Sequence, residues 1–174
     1  MSYQFQRAVK TIAALTPAQH RQLESLCLEI RSAESQLRHG ASPLLTRCHT
    51  ICRGLCCRNI QLNALVHHGD FVFLLTLAQG LQKRIAECLQ QEDPLFPKDC
   101  IFLADGSGPC IFPEDIRPQI CVTAFCTDTT PVRAEIARVK RKFFKLDCYL
   151  AGWRLANGLR RILRFPAPGH GAAP

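Results

Sequence analysis

The sequence has no apolar run long enough to cross a membrane. The longest candidate, residues 71–81, falls short of the ~20 apolar residues that a spanning helix needs, and it contains Gln79 and Gly80. Residues 1–15 also lack the basic stretch, apolar core and small-residue cleavage site of a signal peptide. Because of these two absences, we expect a cytoplasmic protein without a transmembrane segment.

Motifs of the common enzyme classes are absent as well. The sequence contains no HExxH motif, no Gly-rich phosphate loop and no recognisable Ser/His/Asp arrangement. Residues 105–108, Asp-Gly-Ser-Gly, predict a turn, because no Lys and no Ser or Thr follow at the offset that a phosphate loop requires. This lack of a catalytic motif favours a binding protein over an enzyme.

Cysteine, in contrast, is abundant, with 11 residues among 174. Disulfides are rare in a reducing cytosol, and an odd number of cysteines cannot all pair within one chain. Cys27 and Cys88 accompany apolar helical stripes, so we interpret both as small buried hydrophobic residues. The remaining, clustered thiols indicate metal binding or redox chemistry rather than a disulfide framework.

The clustered cysteines form two segments, residues 48–57 and residues 110–126, and the second contains Arg117-Pro118. Thiolate sulfur is the ligand that Zn²⁺, Fe–S clusters and Cu(I) select, and one zinc ion takes about four donors. Seven thiols exceed that number, which indicates a multinuclear site with bridging sulfurs. The predicted ligands are Cys48, Cys52, Cys56, Cys57, Cys110, Cys121 and Cys126, with Cys100 as a candidate eighth donor.

Adjacent Cys56 and Cys57 sharpen this interpretation. Neighbouring side chains point in different directions, so the two thiols do not easily bind one ion together. The pair therefore indicates two metals, a bridged cluster, or one structural and one reactive thiol. The spacing matches neither the two-pair zinc ribbon nor the bacterial ferredoxin run, so it predicts a metal without identifying it.

Taken together, the two segments resemble the YkgJ-type cysteine-cluster proteins, which are described as zinc- or iron-chelating. The resemblance covers residues 48–126 and implies chelation of zinc or iron, including an iron–sulfur cluster, without an established reaction. The first group is spaced more widely than is usual in the family, and Phe112 stands where a tyrosine is common, but neither departure removes a ligand. The matching residues are Cys48, Cys52, Cys56, Cys57, Ile60, Leu62, Gly108, Cys110, Ile111, Phe112, Arg117, Pro118, Cys121 and Cys126.

Polar residues near the cysteines have less specific interpretations. Arg117 could donate hydrogen bonds to cluster sulfurs or hold the backbone of the cysteine loop, so we predict a supporting role for it. Imidazole also binds zinc and iron, but with enough thiols present His49, His67 and His68 are interpreted as loop residues.

Three long helices are predicted, over about 17–39, 71–91 and 132–163. Thr16 offers an N-cap hydroxyl directly before a proline, and Asp70 can cap the second helix. In each segment apolar residues recur at steps of three and four, which places them on one helical face.

The predicted fold class is α+β and mostly helical, with long helices flanking a cysteine-rich metal-binding core. Residues 100–104 and 110–112, joined by a turn, predict a small β-hairpin. We expect a single domain over residues 1–165 with its cysteine core at 48–126. Residues 166–174, which are rich in Pro, Gly and Ala, predict a disordered tail.

The positive charge is confined to the C-terminal segment. Residues 1–131 are neutral overall, whereas residues 132–174 hold 10 Lys/Arg and 2 Asp/Glu and so account for the whole net charge of +8. The last helix could use this basic face to bind an acidic protein, nucleic acid or an anionic membrane surface, or the face could simply be solvated. The face comprises Arg138, Arg141, Lys142 and Lys145.

Three functions stay open at this level. The first, and the one we expect, is a binding protein that chelates zinc or iron without turnover. The second is a redox or cluster-dependent enzyme. The third is a zinc-stabilised module that uses its basic C-terminal helix to bind nucleic acid or protein.

Overall fold

The computed structural model describes residues 1–47, 65–91, 100–104 and 109–163. About 77% of these residues are helical, which confirms the mostly helical fold. None of the helices in these ranges is both long and apolar enough to cross a membrane. The α-helices, in chain order, are α1 Ser2–Ala13, α2 Pro17–Gly40, α3 Ser42–Arg47, α4 His68–Leu77, α5 Gln82–Gln90, α6 Gln119–Thr123 and α7 Arg133–Leu163.

Helix α2 begins where the sequence predicts. The Thr16 hydroxyl accepts the backbone N–H of Gln19 at 3.4 Å, and the Gln19 side chain accepts the Thr16 N–H at 2.9 Å. These reciprocal bonds satisfy two N–H groups that the first helical turn leaves without partners, and Pro17 presets the backbone for the helix. The buried stripe of α2 comprises Leu23, Leu26, Cys27, Ile30, Ala33, Glu34 and Leu37.

The core forms where α2 packs against α7 and where α1 packs against α4. Aromatic contacts connect these pairs. Phe5 meets Phe71 edge to face at 5.6 Å between ring centroids, and Phe73 meets Phe143 at 5.3 Å in the same way. Full burial of each such side chain stabilises the fold by about 1.5–3 kcal/mol. Cys27 belongs to this core as predicted, and burial raises the pKa of its thiol to about 12.

The single helix predicted over 71–91 is wrong. Helix α4 ends at Leu77, Ala78 leaves the helical conformation, and a 3₁₀ turn over Gln79–Leu81 leads into α5. Residues 68–75 of α4 are buried on all sides, whereas α5 buries only one stripe. The chain therefore interrupts its helical hydrogen bonding between the two helices, at Ala78 and the 3₁₀ turn.

The predicted β-hairpin is also wrong, because the described residues contain no strand. Leu103 and Cys110 form one isolated antiparallel bridge. The Leu103 N–H bonds back to the Cys100 carbonyl at 3.0 Å, so the first arm curls into a turn. Pro109 has no N–H to extend a ladder. The predicted turn at 105–108 lies outside the described residues.

Candidate functional site

Asp70 connects two distant parts of the chain. Its side chain is buried, with one oxygen accepting the His67 N–H at 2.8 Å and the other accepting the Gln119 N–H at 2.7 Å. The sequence predicts Asp70 as the residue before the helix, which is wrong, because α4 already begins at His68. Burial raises the pKa of Asp70, and the two backbone N–H groups oppose that effect.

This carboxylate joins a residue that follows the first cysteine segment in the sequence to a residue within the second. His67 lies shortly after the first segment in the sequence, and Gln119 lies two residues before Cys121. Both backbone N–H groups bond to the same carboxylate, so His67 lies beside the start of α6, the helix that carries Cys121.

The C-terminal end of α2, which precedes the first cysteine segment in the sequence, also contacts residues in and after the second segment. At the C-terminal end of α2, Arg38 Nη1 lies 3.7 Å from Glu114 Oε2. A Cβ atom added to Gly40 would lie 3.8 Å from Val132 Cγ1. Only the short helix α3 separates Gly40 from Cys48. Both flanks of the first cysteine segment therefore contact the part of the chain around the second.

The predicted metal ligands are only partly within the described residues. Cys100 is buried, Cys110 is half-buried, and Cys121 and Cys126 are exposed. Burial raises the pKa of Cys88, a half-buried residue that the sequence analysis interprets as core, and Cys110 is near enough to raise it slightly further. The remaining predicted ligands, Cys48, Cys52, Cys56 and Cys57, lie outside the described residues.

Within the described ranges, no group of three or more Cys, His, Asp or Glu side chains could hold a metal ion. The second cysteine segment therefore does not supply a complete set of donors with its described neighbours. The thiols at Cys110, Cys121 and Cys126 still have the chemistry of soft-metal ligands, and none of them is fully buried. A site of the predicted kind would draw its other donors from residues 48–57.

Glu34 is a buried carboxylate that the sequence analysis missed. It is 1% exposed, and neither oxygen has a hydrogen-bond partner in the part of the chain that the structure describes. Burial raises its pKa to about 8, while the Arg117 backbone N–H and the Arg38 guanidinium lower it without reaching hydrogen-bond geometry. Asp70 and Asp115 are close enough to raise the pKa of Glu34 further.

The position of Glu34 on the buried stripe could have been predicted from the sequence, because it follows Ile30 by four residues and precedes Leu37 by three.

Arg117 lies beside Glu34 at the turn before α6. Its Nε atom is buried and has no hydrogen-bond partner among the described residues. The backbone here is held by Asp70, whose carboxylate accepts the Gln119 N–H. The predicted supporting role of Arg117 toward the cysteine sulfurs stays a prediction.

His68 is part of the helix core rather than a loop. Its Nε2 lies 3.2 Å from the hydroxyl of Thr11 and so joins α4 to α1. Burial lowers the pKa of His68 to about 4, and the nearby Arg7 acts in the same direction. His68 is therefore neutral at pH 7 and connects two helices; His67 lies directly before α4.

The basic face of α7 contacts α2. Lys142 Nζ lies 2.8 Å from Glu29 Oε2, and Lys145 Nζ lies 3.2 Å from the same oxygen. Both lysines lower the pKa of Glu29, with Lys142 having the larger effect. Arg138 donates a hydrogen bond to Gln36. Three of the four predicted basic-face residues thus contribute to the interface between the two longest described helices.

Comparison of the chain with protein-family models, with curated proteins and with solved structures finds no match. The resemblance to the YkgJ-type proteins therefore stays a prediction that rests on the cysteine pattern itself.

Proposed function

We propose that this protein binds zinc or iron through cysteine thiolates contributed by its two cysteine segments. The observation that carries the proposal is the Asp70 carboxylate, which accepts the backbone N–H groups of His67 and Gln119 at 2.8 and 2.7 Å. These bonds hold His67, which follows the first segment in the sequence, beside Gln119 of the second segment.

The contacts at the end of α2 support the same arrangement from the other side. Arg38 faces Glu114 and Gly40 packs near Val132, so the chain also approaches the first segment from beside residues 114–132. Because the residues before and after the first segment contact residues 114–132, we infer that its thiols lie within reach of those in the second segment.

The donor chemistry fits zinc and iron. Thiolates favour soft and borderline metals, and Cys121 and Cys126 are exposed and therefore accessible to an incoming ion. The proposed set is completed by Cys48, Cys52, Cys56 and Cys57, with Cys100 as a further candidate. Bound metal would connect two segments that are distant in sequence and so contribute to folding.

Metal quantitation on protein purified without oxygen tests the proposal. We expect stoichiometric zinc in a colourless protein, or iron with visible absorption if the site holds an iron–sulfur cluster. Cys56→Ser and Cys121→Ser should each reduce the metal content, because each removes a donor.

Cys148→Ser is the matched control, since Cys148 is exposed on α7 and outside both segments. It should retain the metal content of the unchanged protein. Folded protein that contains no metal, or full metal content in both Cys56→Ser and Cys121→Ser, would contradict the proposal.

A further inference from the structure

The side of α7 that faces away from the core carries an apolar stripe. Phe144 and Leu155 are each 70% exposed and Leu159 is 59% exposed, which is unusual for side chains of this size. Cys148 and Ala151 lie between them and are also exposed. Successive members are four, three, four and four residues apart, so they line up on one side of the helix.

Part of this stripe lies on a section of helix that extends past the core. As far as residue 159, Leu150 is the last buried residue of α7, although Trp153 still packs partly against the core. The helix nevertheless continues to Leu163. Helical sections gain most of their stability from packing one face against a neighbour. The exposed leucines therefore lie where α7 would gain stability from an additional packing partner.

The spacing favours another helix as that partner. Phe144, Cys148, Ala151 and Leu155 follow the alternating four-and-three step of a coiled-coil seam. The side chains of Cys148 and Ala151 are smaller than those of Phe144 and Leu155, between which they lie along the helix. A partner helix can place large side chains there.

The charges beside the stripe determine the kind of helix. Lys140 and Arg141 are exposed one turn before Phe144. Lys145, which follows Phe144 directly, is already paired with Glu29 of α2, so Lys140 and Arg141 are the charges available to a partner. One acidic residue, Asp147, also lies in this part of α7. Its carboxylate is so close to Gly69 of α4 that a Cβ atom added to Gly69 would overlap it. Asp147 is therefore directed toward α4 and away from the stripe.

The distribution of charge disfavours a second copy of the chain in this position. Residues 132–174 carry the whole net charge of +8, so two copies joined through α7 would bring like charges together. A partner with acidic residues beside its apolar seam would instead place opposite charges across the interface.

We propose that the stripe formed by Phe144, Cys148, Ala151, Leu155 and Leu159 is a docking surface for an amphipathic helix with acidic flanks from another protein. The surface is separate from the cysteine segments, so this proposal does not depend on metal binding.

A designed peptide provides the probe. It has four heptads with Leu at positions a and d and Glu at e and g, and its twin carries Lys at e and g. Fluorescence anisotropy with the full chain should show binding of the Glu peptide and at least about tenfold weaker binding of the Lys peptide. Leu155→Ser and Arg141→Glu should each weaken binding of the Glu peptide by about tenfold or more, whereas Leu28→Ser, at an exposed leucine of α2, should not.

Other outcomes would overturn the proposal. Equal binding of the two peptides, no binding of either, or unchanged binding by Leu155→Ser would each contradict it. Binding to phosphatidylserine vesicles without binding to the Glu peptide would assign the stripe to a membrane surface. Concentration-dependent dimerisation that Leu155→Ser abolishes, measured by sedimentation, would assign it to a second copy. Circular dichroism on each variant establishes that it is folded.

Discussion

At the scale of single residues, Glu34 has the environment least suited to its charge. Its folded-state pKa is about 8, above its ordinary value of 4.5. Between these two pH values the folded protein therefore retains a proton that the unfolded chain releases. Neutral Glu34 makes its full contribution to the free energy of unfolding below about pH 4.5, and this contribution is lost as pH rises toward 8. Each pKa unit corresponds to about 1.4 kcal/mol, so we expect a loss of about 3 kcal/mol between pH 4.5 and pH 7.

Glu34→Gln tests this expectation because glutamine does not ionise. Relative to the unchanged protein, the variant should become more stable by about 3 kcal/mol as pH rises from 4.5 to 7. Urea denaturation across this range measures the difference. Glu24→Gln, at an exposed position on the same helix, serves as the control. Parallel stability curves for Glu34→Gln and the unchanged protein would show that Glu34 does not titrate in this way.

At the scale of elements, Asp70 joins the start of α4 to the start of α6. Asp70→Ala leaves the N–H groups of His67 and Gln119 without their acceptor in a partly buried place. The loss of the two bonds should destabilise the fold by about 2 kcal/mol, measured by urea denaturation. The metal content should fall as well, since the proposed site requires the chain that follows the first cysteine segment to stay beside the second.

Asp128→Ala is the control for the Asp70 substitution. Asp128 also accepts two hydrogen bonds, from the Thr130 N–H at 2.9 Å and its hydroxyl at 2.7 Å, but the site is exposed. Water can replace these bonds, so the stability loss should be smaller and the metal content should not change. Equal losses in the two variants would mean that Asp70 has no special role in connecting the segments.

The sequence predicts elements well where the signal is local. Thr16-Pro17 specifies the start of α2 through a cap and a preset backbone angle, and the structure confirms it. The break at Ala78 depends instead on how α4 and α5 pack, which no local pattern contains. The false hairpin has a similar cause, because its alternating apolar residues pack as Phe102 against Phe112, with centroids 4.7 Å apart, around a turn rather than in a ladder.

At the scale of the whole molecule, the candidate site depends on contacts between distant parts of the chain. The cysteine pattern indicates which residues could be ligands, but it does not predict which helices contact the chain around them. Asp70 on α4 and the end of α2 make those contacts with residues 114–119, through side chains with no distinctive motif. The helices and the proposed site are therefore expected to stabilise each other.

Metal removal tests this coupling. A metal that binds only the folded state at a concentration about 100-fold above its Kd stabilises that state by about 2.7 kcal/mol, so a chelator should lower the Tm by about 5–10 °C. Differential scanning fluorimetry under anaerobic conditions measures the shift. Cys121→Ser should begin with a lower Tm and respond little to the chelator, because it has already lost a donor. Cys148→Ser should respond to the chelator as the unchanged protein does. If the chelator leaves the Tm of the unchanged protein and of both variants unaltered, metal binding does not contribute to the stability of the fold.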